Sequence, residues 1–316
     1  MKNEQVLQCA LLATMLSTVL APGMARGCAC GCGVFDVATQ SMFPNGPGGM
    51  LFLDYDFQDQ SRNWHANDTA PAANNTDREI RTHFFTAGIQ YLFNTNWGVQ
   101  FQVPYVNRVF KTTGGASGND AVAQHWSALG DVRLKGIYTG FSPDLSSGLT
   151  FGVKLPTGDY SHNDVFHDVD RDTEIGTGST DLLLGGFHRG HVTQDYSVGW
   201  FAQAELDLPT LIQAHYRPGL EADAAAGMYY NRWSLGRMQV TPVAQVIVSE
   251  RTSDTGRNAA IPTASGYQRI LLSPGIEFHL HPVSLYADAE FPVFQDFRGN
   301  QLAAAALFKV ILSYHF

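Results

Sequence analysis

Apolar residues recur at every second position along most of this chain. In its last eleven residues Phe316, Tyr314, Leu312, Val310, Phe308 and Ala306 share one register. His315, Ser313 and Lys309 occupy the other, with Ile311 and Leu307 as exceptions. A period of two belongs to an extended strand, whose side chains point alternately to opposite faces. The same alternation between turn residues predicts about twelve strands. They span 49–58, 80–93, 97–109, 128–141, 147–156 and 178–190, then 194–207, 219–231, 235–249, 266–280, 282–293 and 303–316. Most exceed the roughly 5–6 residues of a globular strand. They reach the roughly 9–11 residues with which a tilted strand crosses a bilayer.

The connections sort into two kinds. Asn94–Asn96, Ser142–Ser146, His191–Thr193, Arg232–Ser234 and His281–Pro282 are short. Between them lie longer polar stretches near 59–79, 110–127, 157–177, 208–218, 250–265 and 294–302. Strict alternation of short and long connections is the habit of bacterial outer-membrane barrels, whose short turns face the periplasm. The closing Phe316 also resembles the end of that class. The expected fold is all-β: a transmembrane antiparallel up-and-down β-barrel over 48–316, set in outer-membrane lipid as a monomer, with both ends periplasmic. Past the N-terminus no run of 18 apolar residues suggests a membrane helix.

The alternation also assigns faces. Leu51, Leu53, Tyr55 and Phe57 should meet lipid, as should Ala222, Ala224, Ala226 and Met228. The opposite register places Asp54, Asp56, Asp131, Arg133, Lys135, Glu205, Glu221, Asp223 and Glu290 in the lumen. Arg81, Arg108, Lys154, Arg189, Arg237, Arg269 and Lys309 are expected there as bases, beside Asp181, Asp207, Glu277 and Asp288. Charges inside a narrow barrel must be paired or hydrated, so many should be struts. A small acidic excess favours cations along any open path. The formal net charge of −9 argues against nucleic acid. Neither a G-x-S-x-G nor an H-E-x-x-H motif occurs, and no enzyme activity is expected.

Residues 1–25 read as a signal peptide with cleavage after Ala25. Residues 26–47 then form a Cys-rich periplasmic segment containing Gly27-Cys-Ala-Cys-Gly-Cys-Gly33. Cys28, Cys30 and Cys32 fall on one side of an extended chain, and such soft thiolates suit Cu(I) or Zn. Acylation of Cys28, or a disulfide to a partner chain, are the alternatives. A second group of possible ligands, His162 to Glu174, reads more simply as a solvated loop folding into the barrel mouth.

Lys154-Leu-Pro-Thr-Gly-Asp-Tyr160, Ile175-Gly-Thr-Gly-Ser-Thr-Asp-Leu-Leu-Leu-Gly185, Val103-Pro-Tyr105 and Ala128-Leu-Gly-Asp-Val-Arg-Leu-Lys135 carry a family resemblance. They resemble the outer-membrane transporter family associated with the meta-cleavage pathway of phenol degradation. The resemblance implies a monomeric barrel that passes small molecules across the outer membrane. The expected function is therefore a channel for a small solute or a metal ion. The alternative is a closed barrel that anchors or docks a periplasmic metal or electron-transfer partner.

Overall fold

The computed structural model describes residues 42–114, 120–163, 169–259 and 262–316. Its strands are β1 (Gly48–Ala66), β2 (Asp68–Thr69), β3 (Asp77–Leu92), β4 (Trp97–Gly114), β5 (Asp120–Leu129), β6 (Val132–Tyr138) and β7 (Ser147–Leu155). They continue as β8 (Ser179–His191), β9 (Val198–Ile212), β10 (Glu221–Tyr230), β11 (Trp233–Leu235), β12 (Met238–Arg251), β13 (Tyr267–Leu280) and β14 (Val283–His315). Neighbours in sequence pair antiparallel, and the order runs β10-β9-β8-β7-β6-β4-β3-β1-β14-β13-β12. β12 then pairs back onto β10, for example Ala225 opposite Ile247, and the sheet closes on itself. Closure leaves no edge of unpaired backbone in the wall, as a bilayer demands.

β14 is two staves, not one. Its 33 residues would stretch to roughly 110 Å at about 3.3 Å each. Its first part pairs with β13 and its second with β1. The His315 N–H donates to Pro282 O at 2.8 Å, and Ser313 Oγ lies 3.2 Å from Ser284 Oγ. The chain therefore folds back on itself, turning at Gly299, whose φ of 73° glycine adopts without strain. The eleven strands of the ring thus supply the twelve staves expected from alternation. β5 continues the line of β6 along β4, while β2 and β11 are short additions beside the ring.

The seam is fixed at the C-terminus. Gly49 N–H donates to Phe316 O at 2.8 Å, and Phe316 N–H returns a bond to Gly49 O at 2.9 Å. A Cβ on Gly49 would lie 2.2 Å from Phe316 Cζ, so this backbone accepts the ring only because it carries no side chain. Outward positions such as Leu51, Leu53, Phe308 and Leu312 are exposed and apolar, whereas the alternate residues are buried inside. Tyr91, Phe93, Trp97, Tyr138 and Trp233 gather at strand ends near the short turns, where an aromatic girdle belongs.

Two stretches expected as loops are partly strand. β1 continues to Ala66, and β4 continues to Gly114 opposite β5. These upper parts bury Phe110 and Trp126 with Ile80 and Leu302 on one side, only at scattered positions. No hydrophobic alternation is left there to announce a strand.

Candidate functional site

The inward register of the staves brings charges together in the middle of the barrel. Asp56 on β1 stands opposite Lys309 on β14. Lys309 Nζ reaches Asp56 Oδ1 at 2.7 Å and Asp54 Oδ2 at 3.1 Å, with the lysine side chain 0% exposed. Lys135 on β6 reaches across to Glu205 on β9 at 2.6 Å. Lys154 on β7 sits between Asp181 on β8 and Asp207 on β9, 2.7 Å from the latter. Asp288 accepts hydrogen bonds from Tyr286, Ser273 and Gln245 at 2.8, 2.7 and 3.2 Å. Glu290 is buried in the same interior. Ion pairs this dry hold only where the geometry is good and the spare oxygens are met.

Nearer the long connections these charges border a central cavity of about 160 Å³. Arg133, Glu221 and Asp223 line it, together with Phe84, Val106, Pro104 and Tyr216. Its roof is formed by the described residues between β7 and β8, 171–177 above all. Asp131, at the break between β5 and β6, pins both arms of that segment. Its Oδ1 accepts the Gly158 N–H at 2.9 Å, and its Oδ2 accepts the Thr177 N–H at 2.8 Å and the Thr177 hydroxyl at 2.7 Å. The arms touch at Gly158 and Gly176, where a Cβ on Gly176 would come within 2.4 Å of the other backbone. Arg108 is 1% exposed and donates to Thr82 Oγ1, to Glu174 O at 3.0 Å and to Thr173 O. Arg171 donates to Thr177 O and lies between the rings of Tyr160 and Tyr216, 4.8 and 4.7 Å from their centres.

Two carboxyls of this roof border the cavity. Burial, helped by the charge of Asp159, pushes the Glu174 carboxyl up to about 8. Burial and then Asp254 push Asp172 up to about 7. Neither Glu174 oxygen meets a hydrogen-bond partner of normal geometry, although the residue is only 5% exposed.

Beside these charges, and reaching toward the short turns, the lumen also holds an apolar cluster. Met50, Phe52, Phe201, Tyr229, Ile247, Leu271, Leu307 and Ile311 form one cluster there with Met42 and Phe43. The chain just before β1 thus enters the barrel at its short-turn end. Phe43 packs on Phe187 and Phe201 at centroid distances of 5.2 and 5.7 Å. Arg189 holds the segment through Pro44 O at 2.8 Å and Asn45 Oδ1 at 2.9 Å, and Gln90 donates to Met42 O at 3.3 Å.

Comparison with known proteins places this geometry. The model of the family described as "Putative MetA-pathway of phenol degradation" matches residues 58–302. The chain belongs to this family. Among solved structures, the COG4313 outer membrane channel from Pseudomonas putida F1 matches with a TM-score of 0.64 at 10% identity. That match covers 89% of this chain and 100% of that one. The β domain of the Bordetella autotransporter BrkA matches with a TM-score of 0.53 at 12% identity, over 85% of this chain and 100% of that one. Such identities establish the fold alone, that of an outer-membrane barrel. No curated protein sequence matches.

The structure sorts the residues expected from sequence. Asp54, Asp56, Lys135, Glu205 and Glu290 lie inside, the first four in ion pairs. Arg133, Glu221 and Asp223 line the cavity, and Asp131 serves the roof. Two expected lumen bases lie elsewhere. Arg81 shares the outward register of His83 and Phe85 and pairs with Glu79 at 3.7 Å. Arg237 is exposed in the turn before β12. Both sit beyond the apolar band, where charge no longer marks a face. His162 stacks on Trp126 at 4.5 Å, and among the described residues no three His, Cys, Asp or Glu groups converge as metal ligands. Residues 1–25, and Cys28, Cys30 and Cys32, lie outside the described residues. The apolar cluster was not expected, and its signal was the pair of exceptions in the last strand, Leu307 and Ile311.

Proposed function

We propose that this protein is an outer-membrane channel for small solutes, held closed at its short-turn end by residues 42–44. The observation that carries the reading is the contrast between the two halves of the lumen. One half is a charged cavity under a pinned roof. The other is sealed by a short segment held by a few hydrogen bonds and the two ring contacts of Phe43, a set small enough to be released. In this reading the short turns and both chain ends face the periplasm, so the plug closes the inner mouth. No catalytic constellation is assigned to it. The Cys28-Cys30-Cys32 run upstream remains a proposed soft-metal site on sequence grounds. Equal metal content in the wild type and a triple Cys→Ser variant would end that idea.

The reading is tested by solute uptake into liposomes carrying the purified barrel. Release of the plug with Phe43→Ala and Arg189→Ala should raise uptake of small solutes above the wild-type rate. The apolar cluster behind the plug favours a second reading, a barrel closed throughout that anchors a periplasmic partner. Equal, background uptake in both proteins would select it and overturn the channel.

A further inference from the structure

We propose that the central cavity is a binding site for a compact organic cation, a protonated amine on a small apolar body. The proposal deepens the channel reading, on which it rests, by naming the class of solute. Among the described residues, nine carboxyl side chains and four cationic ones line this cavity. The cations are largely engaged. Lys154 is held between Asp181 and Asp207. Arg251 pairs with Asp254 at 2.7 Å, and Arg171 donates to a backbone carbonyl. Five of the acids, Asp56, Asp131, Asp181, Glu205 and Asp207, are met by the partners described above, whereas Glu174 and Asp223 are less well served. Glu174, nine-tenths and more buried, lines the cavity with both oxygens lacking a normal hydrogen bond. Asp223 Oδ1 is also buried without one, and Glu221, which accepts the Tyr267 hydroxyl at 2.8 Å, lies two residues away on the same face of β10. A buried carboxyl in this position is stabilised by any cation that reaches it.

The other walls say which cation. Phe84, Val106, Pro104, Ile175 and Tyr216 give the cavity an apolar side. No three potential metal ligands converge among the described residues, so the geometry does not coordinate a bare metal ion. The volume of about 160 Å³ is close to that of an engineered cavity of about 150 Å³ that takes up benzene. A body of one small ring with an ammonium group fits both sides, and a ring bearing a carboxylate would face acids that outnumber the cations.

The test uses three probes of one shape: benzylamine, benzyl alcohol and benzoate, titrated calorimetrically into the full-length barrel in detergent at pH 7.5. Benzylamine should bind at least roughly tenfold tighter than benzyl alcohol, and benzoate should not bind. Glu174→Gln and Asp223→Asn should each weaken benzylamine roughly ten- to hundredfold, the scale of one lost charge-assisted hydrogen bond. Both should leave benzyl alcohol unchanged. Heat-modifiable migration on gels confirms that the variants fold. Equal affinity for the three probes, a preference for benzoate, or unchanged benzylamine affinity in both variants would overturn the proposal. Liposome uptake of the same probes separates it from the channel reading. Binding without uptake keeps the site and removes the channel, whereas uptake blind to charge with no binding does the reverse.

Discussion

Lys309→Met gives the sharpest test of how the interior is held. The wild-type ammonium is fully buried and lies within 3.1 Å of two carboxylates, Asp54 and Asp56, that are themselves 3% and 5% exposed. Methionine keeps most of the volume and removes the charge. Two like charges then face each other two residues apart on β1, about 6.6 Å along the strand. At an effective dielectric constant of about 20 their repulsion is about 2.5 kcal/mol. The loss of the cation's hydrogen bonds adds to this, and buried pairs broken on one side lose about 3–5 kcal/mol in all. The expected result is that much lost unfolding free energy, measured by denaturant titration of the barrel refolded in phospholipid vesicles. Adding Asp54→Asn and Asp56→Asn to Lys309→Met should recover most of it, because the neutral triad leaves no charge unpaired. A loss below about 1 kcal/mol, or no recovery in the triple variant, would refute the claim that these three residues act as one strut.

Ala224→Arg places a charge on the outward face of β10 and should cost about 2–4 kcal/mol in lipid by the same titration; no change would reverse the face assignment. Asp131→Ala removes the three hydrogen bonds that pin the roof, and proteolysis between β7 and β8 should become faster at unchanged barrel stability. An unchanged cleavage rate would show that the roof is held elsewhere. The roof should also respond to pH. Glu174 is raised from an ordinary 4.5 to about 8 and Asp172 from 3.8 to about 7. Between the ordinary and raised values the docked roof holds protons that the released roof does not. Docking is therefore fully supported below about pH 4 and weakens as pH rises toward 8. Cleavage of the roof should accelerate from pH 5 to pH 9, and Glu174→Gln should flatten that rise; a rate that falls over this range would contradict the sign.

The wall of this barrel was legible because lipid and lumen impose opposite demands on alternate residues, and Leu51, Asp54 and Ala224 each announce their side. The struts were legible for the same reason, since Asp54, Asp56, Lys135 and Glu205 could be placed inside before their partners were known. What alternation could not supply was pairing across the lumen. Lys135 and Glu205 lie 70 residues apart and meet only because the sheet curls. Nor could it show the plug, since Met42 and Phe43 stand in a segment without period, and an apolar residue that faces the lumen looks like a lapse in the pattern. The upper extensions of β1, β4 and β5 were hidden because the few apolar residues they bury, Phe110 and Trp126 among them, do not recur at every second position.

If residues 42–44 close a passage through this barrel, loosening them must change its conductance. Single-channel recording in planar bilayers, comparing wild type with Phe43→Ala, tests it most directly. The wild type should carry a small or intermittent current and the variant a larger, sustained one, selective for cations over anions. Identical currents in both, or none in either with the variant properly folded, would contradict it.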